Sequence, residues 1–359
     1  MYCSNCGTPV NSRFCPNCGI PQQQKNTQKS ESDEILDEVV NRFKDIKSTG
    51  QDILKLKDLV VNVFKKHTKE ETEEIFISGT TKTIPAEWEI SASWPKPWLY
   101  SRIFILMAVT YILLCLSFNA FSNELMVPGI MFIGSLSVPF TLLIFFFEAN
   151  APRNISIFNV LKMFFIGGCA SLFVSLLMFQ FVTLSFPMTY IDAIIVGIIE
   201  EIGKAVIVAI FITLLKPKYI LNGILIGAAI GAGFSVFESA GYAYAYAESY
   251  SSMFGIIYLR GFLAAGGHII WAAITGGALC LVKQDKVFDT SMLFNVDFLK
   301  LFAVPVLLHA VWDMPIPFLQ NINFIQILLT LIGWLFIFTL IDKGLKQITR
   351  FDENIYQPQ

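Results

Sequence analysis

The chain has 359 residues, of which 54% are hydrophobic and 15% are charged, and its formal net charge is −2. Soluble proteins of average composition carry about 25% charged residues, so these figures exclude a single ordinary soluble domain. A net charge near zero also provides no global basic field for nucleic acid. Half of the charged residues, 27, lie within the first 100 positions. The chain is therefore a polar head followed by a long apolar body.

The first 21 residues carry a cysteine motif that predicts a structural zinc site. Two Cys-x-x-Cys turns, separated by eight residues, each present two sulfurs to one tetrahedral ion. Four thiolates leave no coordination position open, so we expect structural Zn²⁺ in a short zinc ribbon. Two disulfides, the alternative, require an oxidising compartment. Arg13 is the one basic residue of the segment, which disfavours nucleic acid as a partner. The predicted ligands are Cys3, Cys6, Cys15 and Cys18.

The rest of the head divides into a linker and a cytoplasmic region. Residues 22–33 are rich in Gln, Asn, Ser and Lys, as in a flexible linker. Within the helical and extended region 34–98, the apolar periodicity up to residue 66 predicts a helical hairpin that packs on itself. A membrane-surface or partner-binding helix at 34–66 is the alternative. Residues 74–95 are expected to form short strands or extended chain, and His67 to be a solvated side chain.

The body, 99–345, resolves into apolar segments at the length that a bilayer requires, about 20 residues each. The sequence predicts an all-α polytopic membrane protein with about eight transmembrane helices and a short cytoplasmic tail, 346–359. The first 25 residues contain no apolar core, so no signal peptide is expected. The predicted spans are 102–121, 126–147, 157–184, 191–215, 219–246, 253–282, 299–316 and 323–341.

The connections between these spans predict the orientation. Lys and Arg occur before the first span, after the last and in every second connection, whereas the alternate connections contain neither. Positive charge marks the cytoplasmic side, so both termini are expected inside a cell membrane that the chain crosses several times. The residues that carry this signal are Lys96, Arg102, Arg153, Lys162, Lys216, Lys218, Lys283, Lys286, Lys300, Lys343, Lys346 and Arg350.

A few ionisable residues lie inside the predicted spans, where each is costly and is therefore a functional candidate. They occupy four consecutive helices: Glu200, Glu201, Lys204, Glu238, Arg260, His268, His309 and Asp313. At about 1.5 Å of helix rise per residue, Glu200, Glu201, Glu238 and His309 lie roughly 13–15 Å inside the membrane boundary, and His268 lies near mid-membrane. This common depth predicts that the four helices build one polar site. Arg260, nearer the surface, is interpreted as a snorkelling or helix-pairing residue.

Spacing within the helices supports a built site. Glu200 and Lys204 are four residues apart and can pair, and His309 and Asp313 have the same spacing. An Asp one turn from a His can fix its tautomer. The segment 219–246 also has a small residue at every fourth position, which lets another helix approach closely. These positions are Gly223, Gly227, Gly231, Ser235 and Ser239.

These residues resemble the motifs of a known family. Glu200-Glu201-x-x-Lys204, Phe234-x-x-x-Glu238, His268 and His309-x-x-x-Asp313 follow one another on successive helices. Over about residues 190–315 they look like the PrsW family of intramembrane proteases, which is related to the CAAX-prenyl endopeptidases and bacteriocin-processing enzymes. The N-terminal ribbon resembles one found in many microbial membrane proteins and looks like an added module. A bacterial or archaeal membrane is the implied setting.

The resemblance implies hydrolysis of a peptide bond in a membrane-anchored protein, such as an anti-sigma-type regulator. In this hypothesis Glu200 or Glu201 is the general base, and His268 and His309 position the water or stabilise the oxyanion. Glu238 and Asp313 orient the histidines, and Lys204 holds Glu200. A catalytic metal bound by Glu238, His268 and His309 is the alternative to a metal-free mechanism.

Two other classes of function fit the same residues. A proton- or ion-coupled secondary transporter would use the buried carboxylates and histidines as a relay, although no repeat links the two halves of the body, as transporters often show. A catalytically inactive scaffold or sensor would use the buried charges only to join helices. In that case the zinc ribbon or residues 34–66 would recruit a protein partner.

Overall fold

A computed structural model of the chain describes residues 29–48, 58–316 and 324–356, with Cys6, Thr8, Asn17 and Cys18 from the cysteine segment. Cys3 and Cys15 lie outside the described residues, so the zinc ribbon stays a prediction. Side chains are described up to residue 44 in the first helix and up to residue 350 in the last. The described residues are helical or irregular and contain no β-strand, in agreement with the predicted all-α class.

The helices follow the predicted spans closely. In chain order, α1 is Glu31–Ser48, α2 is Lys69–Ile77, α3 is Leu99–Phe121, α4 is Val127–Ala149, α5 is Ile157–Phe179, α6 is Tyr190–Leu215, α7 is Ile220–Ala245, α8 is Tyr250–Leu263, α9 is His268–Lys283, α10 is Val296–Asp313 and α11 is Phe324–Tyr356. Short 3₁₀ turns precede α4 at Glu124–Met126 and join α8 to α9 at Ala264–Gly266. The middle of α5, Met163–Gly167, is a π-helical segment.

Six helical stretches of the described chain are long and apolar enough to cross a membrane. They are Leu99–Phe121, Glu124–Ala149, Ile157–Phe179, Ile220–Ala245, Tyr250–Lys283 and Phe324–Arg350. The chain is thus a helical membrane protein. In the first of these stretches, none of the 18 most apolar consecutive residues is buried, whereas 94% of the corresponding residues in Ile220–Ala245 are buried. Helix α7 is therefore the centre of the bundle and α3 lies at its edge.

The other two predicted spans are also helices, α6 and α10, but each contains more than two charged residues. Helix α6 contains Asp192, Glu200, Glu201 and Lys204, and α10 contains Asp297, Lys300 and Asp313. Both helices carry the candidate site, and residues of that site account for several of these charges. A total of eight spans therefore stays a prediction.

Backbone contact between α7 and α9 organises the bundle. A Cβ added at Gly223, Gly227 or Gly231 would overlap a carbonyl group of α9, at Gly276, Ala272 and His268 respectively. The absence of these three side chains lets the two helices touch along their length, as the spacing of small residues predicts. The last of these contacts is at His268, so the glycine ridge also places that residue.

The predicted span 253–282 is interrupted at Gly266 and Gly267. Helix α8 ends at Leu263, and α9 begins at His268 after the 3₁₀ turn. A Cβ at Gly266 would overlap the side chain of Thr330 on α11, and the indole N–H of Trp334 donates to the carbonyl of Ala265 at 2.9 Å. Helix α11 therefore holds the turn that leads into His268.

Helix α1 docks on the ends of α10 and α11 that are predicted to be cytoplasmic. Ser32 donates to Asp297 at 2.6 Å, Lys300 pairs with Asp33 at 2.6 Å, and Lys343 with Glu34 at 2.7 Å. Arg42 pairs with Asp342, and Ile35 and Val39 are buried in the main core. The helical prediction for this segment is confirmed at Glu31–Ser48, but α1 packs on the membrane domain. Its acidic first turn starts the helix inside the predicted linker 22–33.

Two predictions about the head were wrong. Within residues 74–95, expected to be strands or extended chain, Glu74–Ile77 complete α2 and Glu87–Glu89 form a 3₁₀ turn. The capping box of Thr68 and Glu71 starts α2 and outweighs a three-residue alternation of apolar side chains. His67 is not a solvated side chain, because its ring stacks on Trp98 with centroids 3.6 Å apart and bonds the carbonyl of Asn62.

Replacement of Gly227 by Ala tests the α7–α9 contact. The added methyl group would meet the Ala272 carbonyl, so we expect a loss of stability of about 1–3 kcal/mol, as for an overpacked core. Thermal unfolding in detergent measures it. Gly241→Ala on the same helix is the matched control, because nothing lies within 4 Å of its Cβ and alanine favours helix. Equal unfolding temperatures for the two variants would contradict the contact.

The docking of α1 is expected to depend on pH. The Lys300 ammonium holds the pKa of Asp33 below its ordinary value of 3.8, and the Lys343 ammonium holds the pKa of Glu34 below 4.5. Because both pKa values are lowered on folding, the stabilisation is complete above the ordinary values and is lost as the pH falls through the folded ones. Hydrogen exchange of α1 should therefore accelerate as the pH falls below the ordinary Asp value of 3.8, after correction for the intrinsic rate.

A double variant separates this effect from general acid unfolding. Asp33→Asn with Glu34→Gln should speed exchange of α1 at pH 7, since the amides cannot form the two ion pairs. Glu70→Gln with Glu73→Gln in α2 is the control, because these carboxylates do not contact α10 or α11 in the described contacts. Unchanged exchange in α1 of the first variant would contradict docking through these carboxylates.

Candidate active site

The structure brings together the seven side chains that the sequence predicts as catalytic. Glu200, Glu201 and Lys204 lie on α6, Glu238 on α7, His268 at the start of α9, and His309 with Asp313 on α10. A Cβ at Gly197 would lie 2.9 Å from the backbone nitrogen of Ala310, so α6 and α10 also approach closely beside the site. The shared depth inferred from helix rise thus corresponds to direct contact, while the chemical roles stay predictions.

Lys204 has different partners from those expected. Its ammonium lies 2.6 Å from Oε1 of Glu201 and 2.8 Å from Nδ1 of His268, and it is fully buried. The prediction that Lys204 holds Glu200 was therefore wrong. Both acidic residues lie within helical reach of it, three and four positions away, and the rotation of α6 against α9 and α10 selects Glu201. Lys204 also lies 4.5 Å from the centre of the Phe234 ring.

His309 lies among three carboxylates. Its Nδ1 is 2.8 Å from Oε1 of Glu201, and its Nε2 is 3.3 Å from Asp313 and 3.7 Å from Oε2 of Glu200. The predicted contact between Asp313 and His309 is therefore present. Glu201 also contacts both His309 and Lys204 through one oxygen atom, which ties α6 to α10.

His268 bridges the two sides of the site. Its Nδ1 faces the Lys204 ammonium, which can only donate, so Nε2 carries the hydrogen and donates to Oε2 of Glu238 at 2.9 Å. The predicted orientation of His268 by Glu238 is therefore present as a hydrogen bond. Arg260 pairs with the same carboxylate, which supports the helix-pairing interpretation of this residue rather than the snorkelling one.

Aromatic rings enclose the polar groups. The Trp271 ring stacks on His309 with centroids 4.4 Å apart and meets His268 edge-on at 5.1 Å. Phe234 lies 4.8 Å from His268. Phe234 is part of the predicted Phe-x-x-x-Glu motif, whereas Trp271 is a site residue that the sequence prediction missed. The spacing of Trp271, three residues after His268 on one helix face, is a signal that identifies it as a wall of the site.

Three of these side chains form an arrangement that can hold a metal ion. One ligand atom from each of Glu200, His268 and His309 lies within 4.8 Å of the other two. Glu200 Oε2 is 4.0 Å from His268 Nδ1 and 3.7 Å from His309 Nε2, slightly wider than the ~3.3 Å between ligands of a tetrahedral zinc ion. The same Oε2 atom is buried and has no hydrogen-bond partner in the described structure.

The chemistry around these three groups also fits a divalent cation. On the ring nitrogen away from Glu200, His268 contacts Glu238 and His309 contacts Glu201, the carboxylate–histidine arrangement that orients metal ligands. The described site contains four carboxylates, from Glu200, Glu201, Glu238 and Asp313. Among its described side chains, only Lys204 and Arg260 are fixed cations. With neutral imidazoles, two negative charges are left, which a divalent ion would balance. A cation at Nδ1 of His268 would replace its hydrogen bond to Lys204.

The set predicted from sequence for a catalytic metal differs from this one in one residue. Glu238 was expected to join His268 and His309, but its carboxylate is held by Arg260 and by His268. Glu200 takes its place, because it faces both imidazoles. The predicted ligand set with Glu238 was therefore wrong. The order of residues in the sequence does not show which of two carboxylates at one depth points between the two imidazole rings.

Fold and site together define a polytopic helical membrane protein with a buried centre of carboxylates and imidazoles of the kind that hydrolytic enzymes use. A family model, PrsW family intramembrane metalloprotease, matches residues 156–341, about half of the chain. The chain belongs to this family of membrane-embedded proteases, as the sequence motifs suggest. No curated protein and no solved structure matches it.

Glu201 and Lys204 are expected to support the fold as well as the site. Both are fully buried, and removal of one partner leaves the other charge uncompensated, at a cost of about 3–5 kcal/mol. Glu201→Gln and Lys204→Met should each lower the unfolding temperature strongly, and the double variant should lose less than the sum. Glu73→Gln, which breaks an exposed pair with Lys69, should change nothing. Additive losses would contradict direct pairing.

Proposed function

We propose that this protein hydrolyses a peptide bond in a membrane-anchored protein, such as an anti-sigma-type regulator, at the site built by α6, α7, α9 and α10. The observation that carries the proposal is the buried, unpartnered Oε2 of Glu200 between His268 and His309. An unpaired carboxylate oxygen inside a membrane protein is costly. Such an atom is retained where it binds a cation or takes a proton.

Glu200, His268 and His309 are the residues that would hold a metal ion, in accordance with the description of the family. A bound divalent ion supplies Lewis-acid polarisation of the scissile carbonyl and activation of the attacking water. Glu238 and Glu201 orient the two imidazoles from their far nitrogens. This assignment makes Glu201 a positioning residue, because one of its oxygens is already shared by Lys204 and His309.

The remaining charged groups have roles in proton and charge transfer. Glu200 would hold the cation through Oε2, which has no hydrogen-bond donor among the described groups, and would take the proton of the attacking water on its second carboxylate oxygen. The Lys204 ammonium, 2.8 Å from His268, stabilises the developing oxyanion. The Asp313 side chain is 28% exposed, against 3% for His309. Asp313 therefore passes the proton from the site towards solvent. The Trp271 and Phe234 rings keep bulk water from the centre.

The topology is part of the proposal. We place eight spans in the membrane, with α6 and α10 as the two that contain more than two charged residues, and both termini in the cytoplasm. The docking of α1 on Lys300 and Lys343 supports this, because these lysines lie at span ends that the positive-inside rule assigns to the cytoplasm. The structural zinc site at Cys3, Cys6, Cys15 and Cys18 then faces the cytoplasm, and with it the head and any partner that it recruits.

A substrate trap tests the function. Glu200→Gln removes the proton acceptor without breaking an ion pair or hydrogen bond closer than 3.7 Å in the described structure, so it should fold normally and retain substrate. Pull-down from membranes, read by mass spectrometry, should enrich a single-pass membrane protein that the wild-type chain cleaves. We expect cleavage to fall at least about 100-fold in the variant. Glu248→Gln, exposed in the loop after α7, is the matched control.

The outcomes of the trap separate the three classes of function. Cleavage at the wild-type rate by Glu200→Gln would contradict the assignment. Substrate-dependent ion flux in liposomes without any cleavage would instead establish a transporter. A captured protein that the wild-type chain binds but never cuts would establish a scaffold.

Metal removal tests the chemistry. Dialysis against 1,10-phenanthroline should abolish cleavage, and Zn²⁺ or Co²⁺ should restore it, because the water is activated at the Glu200, His268 and His309 cluster. The cysteine segment also binds zinc in this proposal, so the same assay on a chain with all four of its cysteines changed to Ser is the control. Full activity of metal-free protein would overturn the metal assignment and leave Glu200 as a metal-free base.

A further inference from the structure

Arg260 lies at the edge of the site on α8, a helix that contributes nothing to the Glu200, His268 and His309 cluster. Three side chains of α7 hold its guanidinium. It pairs with Oε2 of Glu238, its Nε donates to the hydroxyl of Ser239 at 3.0 Å, and its central carbon lies 4.2 Å from the ring centre of Tyr242. The guanidinium is therefore fixed in position and in plane by three contacts of different kinds.

The carboxylate that Arg260 binds is the one that orients His268. Oε2 of Glu238 accepts from the guanidinium and, at 2.9 Å, from Nε2 of His268. A Glu side chain has three rotatable bonds, so a hydrogen bond to one imidazole does not fix its carboxylate. The second, rigid donor on the same oxygen restricts where this atom lies, and with it the direction of the imidazole.

The segment between Arg260 and His268 is held along its length. Seven residues lie between the two, and they include the 3₁₀ turn Ala264–Gly266. Trp334 bonds the carbonyl of Ala265 at 2.9 Å, and Gly231 meets the backbone of His268. Glu238 binds both ends of this segment, because its carboxylate pairs with Arg260 at the start and accepts from the His268 imidazole at the end. The ion pair therefore links backbone position and ring orientation.

We propose that Arg260 is a positioning residue, which acts through Glu238 to hold the His268 imidazole with Nδ1 towards Glu200 and Lys204. This rests on the proposed function, because it assigns Arg260 to the same reaction. A residue that only pairs α7 with α8 needs a cation. A residue that orients Glu238 needs the planar guanidinium, since lysine lacks both the fork and the stacking on Tyr242. The two roles therefore differ in what Arg260→Lys does.

A kinetic cycle tests the proposal with the full-length chain and the captured membrane protein in vesicles of phosphatidylethanolamine and phosphatidylglycerol. Arg260→Gln should lower kcat about 10-fold or more, as outer-sphere changes do, with KM within twofold. Arg260→Lys should recover only part of kcat. In a Glu238→Gln background, Arg260→Gln should change kcat less than twofold. Lys218→Gln is the matched control, because it breaks a 2.7 Å ion pair with Glu87 and the exposure of Lys218 is similar to that of Arg260. It should leave kcat unchanged.

Several results would overturn the proposal. Full activity of Arg260→Lys would reduce the residue to a helix-pairing cation. Equal losses in the wild-type and Glu238→Gln backgrounds would show that it does not act through Glu238. A change in KM alone would make it a substrate-binding residue. Arg260→Lys retains the positive charge and the pairing of α7 with α8. It therefore tests the positioning role even if Arg260→Gln fails to fold.

Co²⁺ binding is a second readout, independent of cleavage. Titration with Co²⁺ alone of the full chain with the four N-terminal cysteines changed to Ser should show about 10-fold weaker binding for Arg260→Gln, and unchanged binding for Lys218→Gln. Undiminished affinity, or no Co²⁺ bound by the unaltered site, would contradict the proposal. A wild-type chain that cleaves no captured protein but shows this loss of Co²⁺ affinity would contradict the proposed function and leave the positioning role of Arg260 in place.

Discussion

The contact between the backbones of α7 and α9 is the constraint on which the site depends. Apolar side chains gain little by leaving lipid for one another, so helices in a membrane associate through close packing and interhelical hydrogen bonds. Glycines at every fourth position of α7 permit this packing, and the contact at Gly231 is with the residue that starts α9, His268. The same ridge continues to Ser239, beside Glu238. Close packing and the candidate site therefore share one helix face, and Glu238 bonds His268 at the end of the contact between the two helices.

The buried charged groups differ in the partners that they have. Lys204 and Glu201 pair within α6, Arg260 and Glu238 pair between α8 and α7, and His268 links the two pairs. Glu200 differs: Glu201 also has an unpartnered Oε2 but bonds Lys204 and His309 through Oε1, whereas Glu200 has no described hydrogen bond, and its Oε2 lies buried 3.7 Å from the nearest imidazole nitrogen. A paired charge holds the structure at a low energetic cost, whereas an unpaired one stores the capacity to bind a cation or a proton. The absence of any described hydrogen bond thus sets Glu200 apart from the other carboxylates that face the two histidines.

The head is connected to the site through α10. Helix α1 holds the start of α10 through Asp297 and Lys300, and α10 carries His309 and Asp313 three turns further on. Periodicity predicted helix α1 but not its partner, because an amphipathic face shows only that something covers it. Residues 74–95 and His67 were misjudged for a related reason. A short alternation and a lone histidine have several outcomes, and contacts with the body, such as Trp98 under His67, decide among them.

The sequence by itself determined that this is a helical membrane protein, and it predicted which ionisable residues come together. Both follow from local costs: an apolar segment of ~20 residues is stable only in lipid, and a charged residue within such a segment is costly unless it has a partner or a function. The helix rise predicted that these residues lie at one level, and the structure brings them into contact. Only the tertiary structure decided the partners. Glu201, not Glu200, binds Lys204, Glu200 faces the two histidines, and Arg260 joins the site, because helix rotation about its own axis leaves depth unchanged but selects which side chains meet.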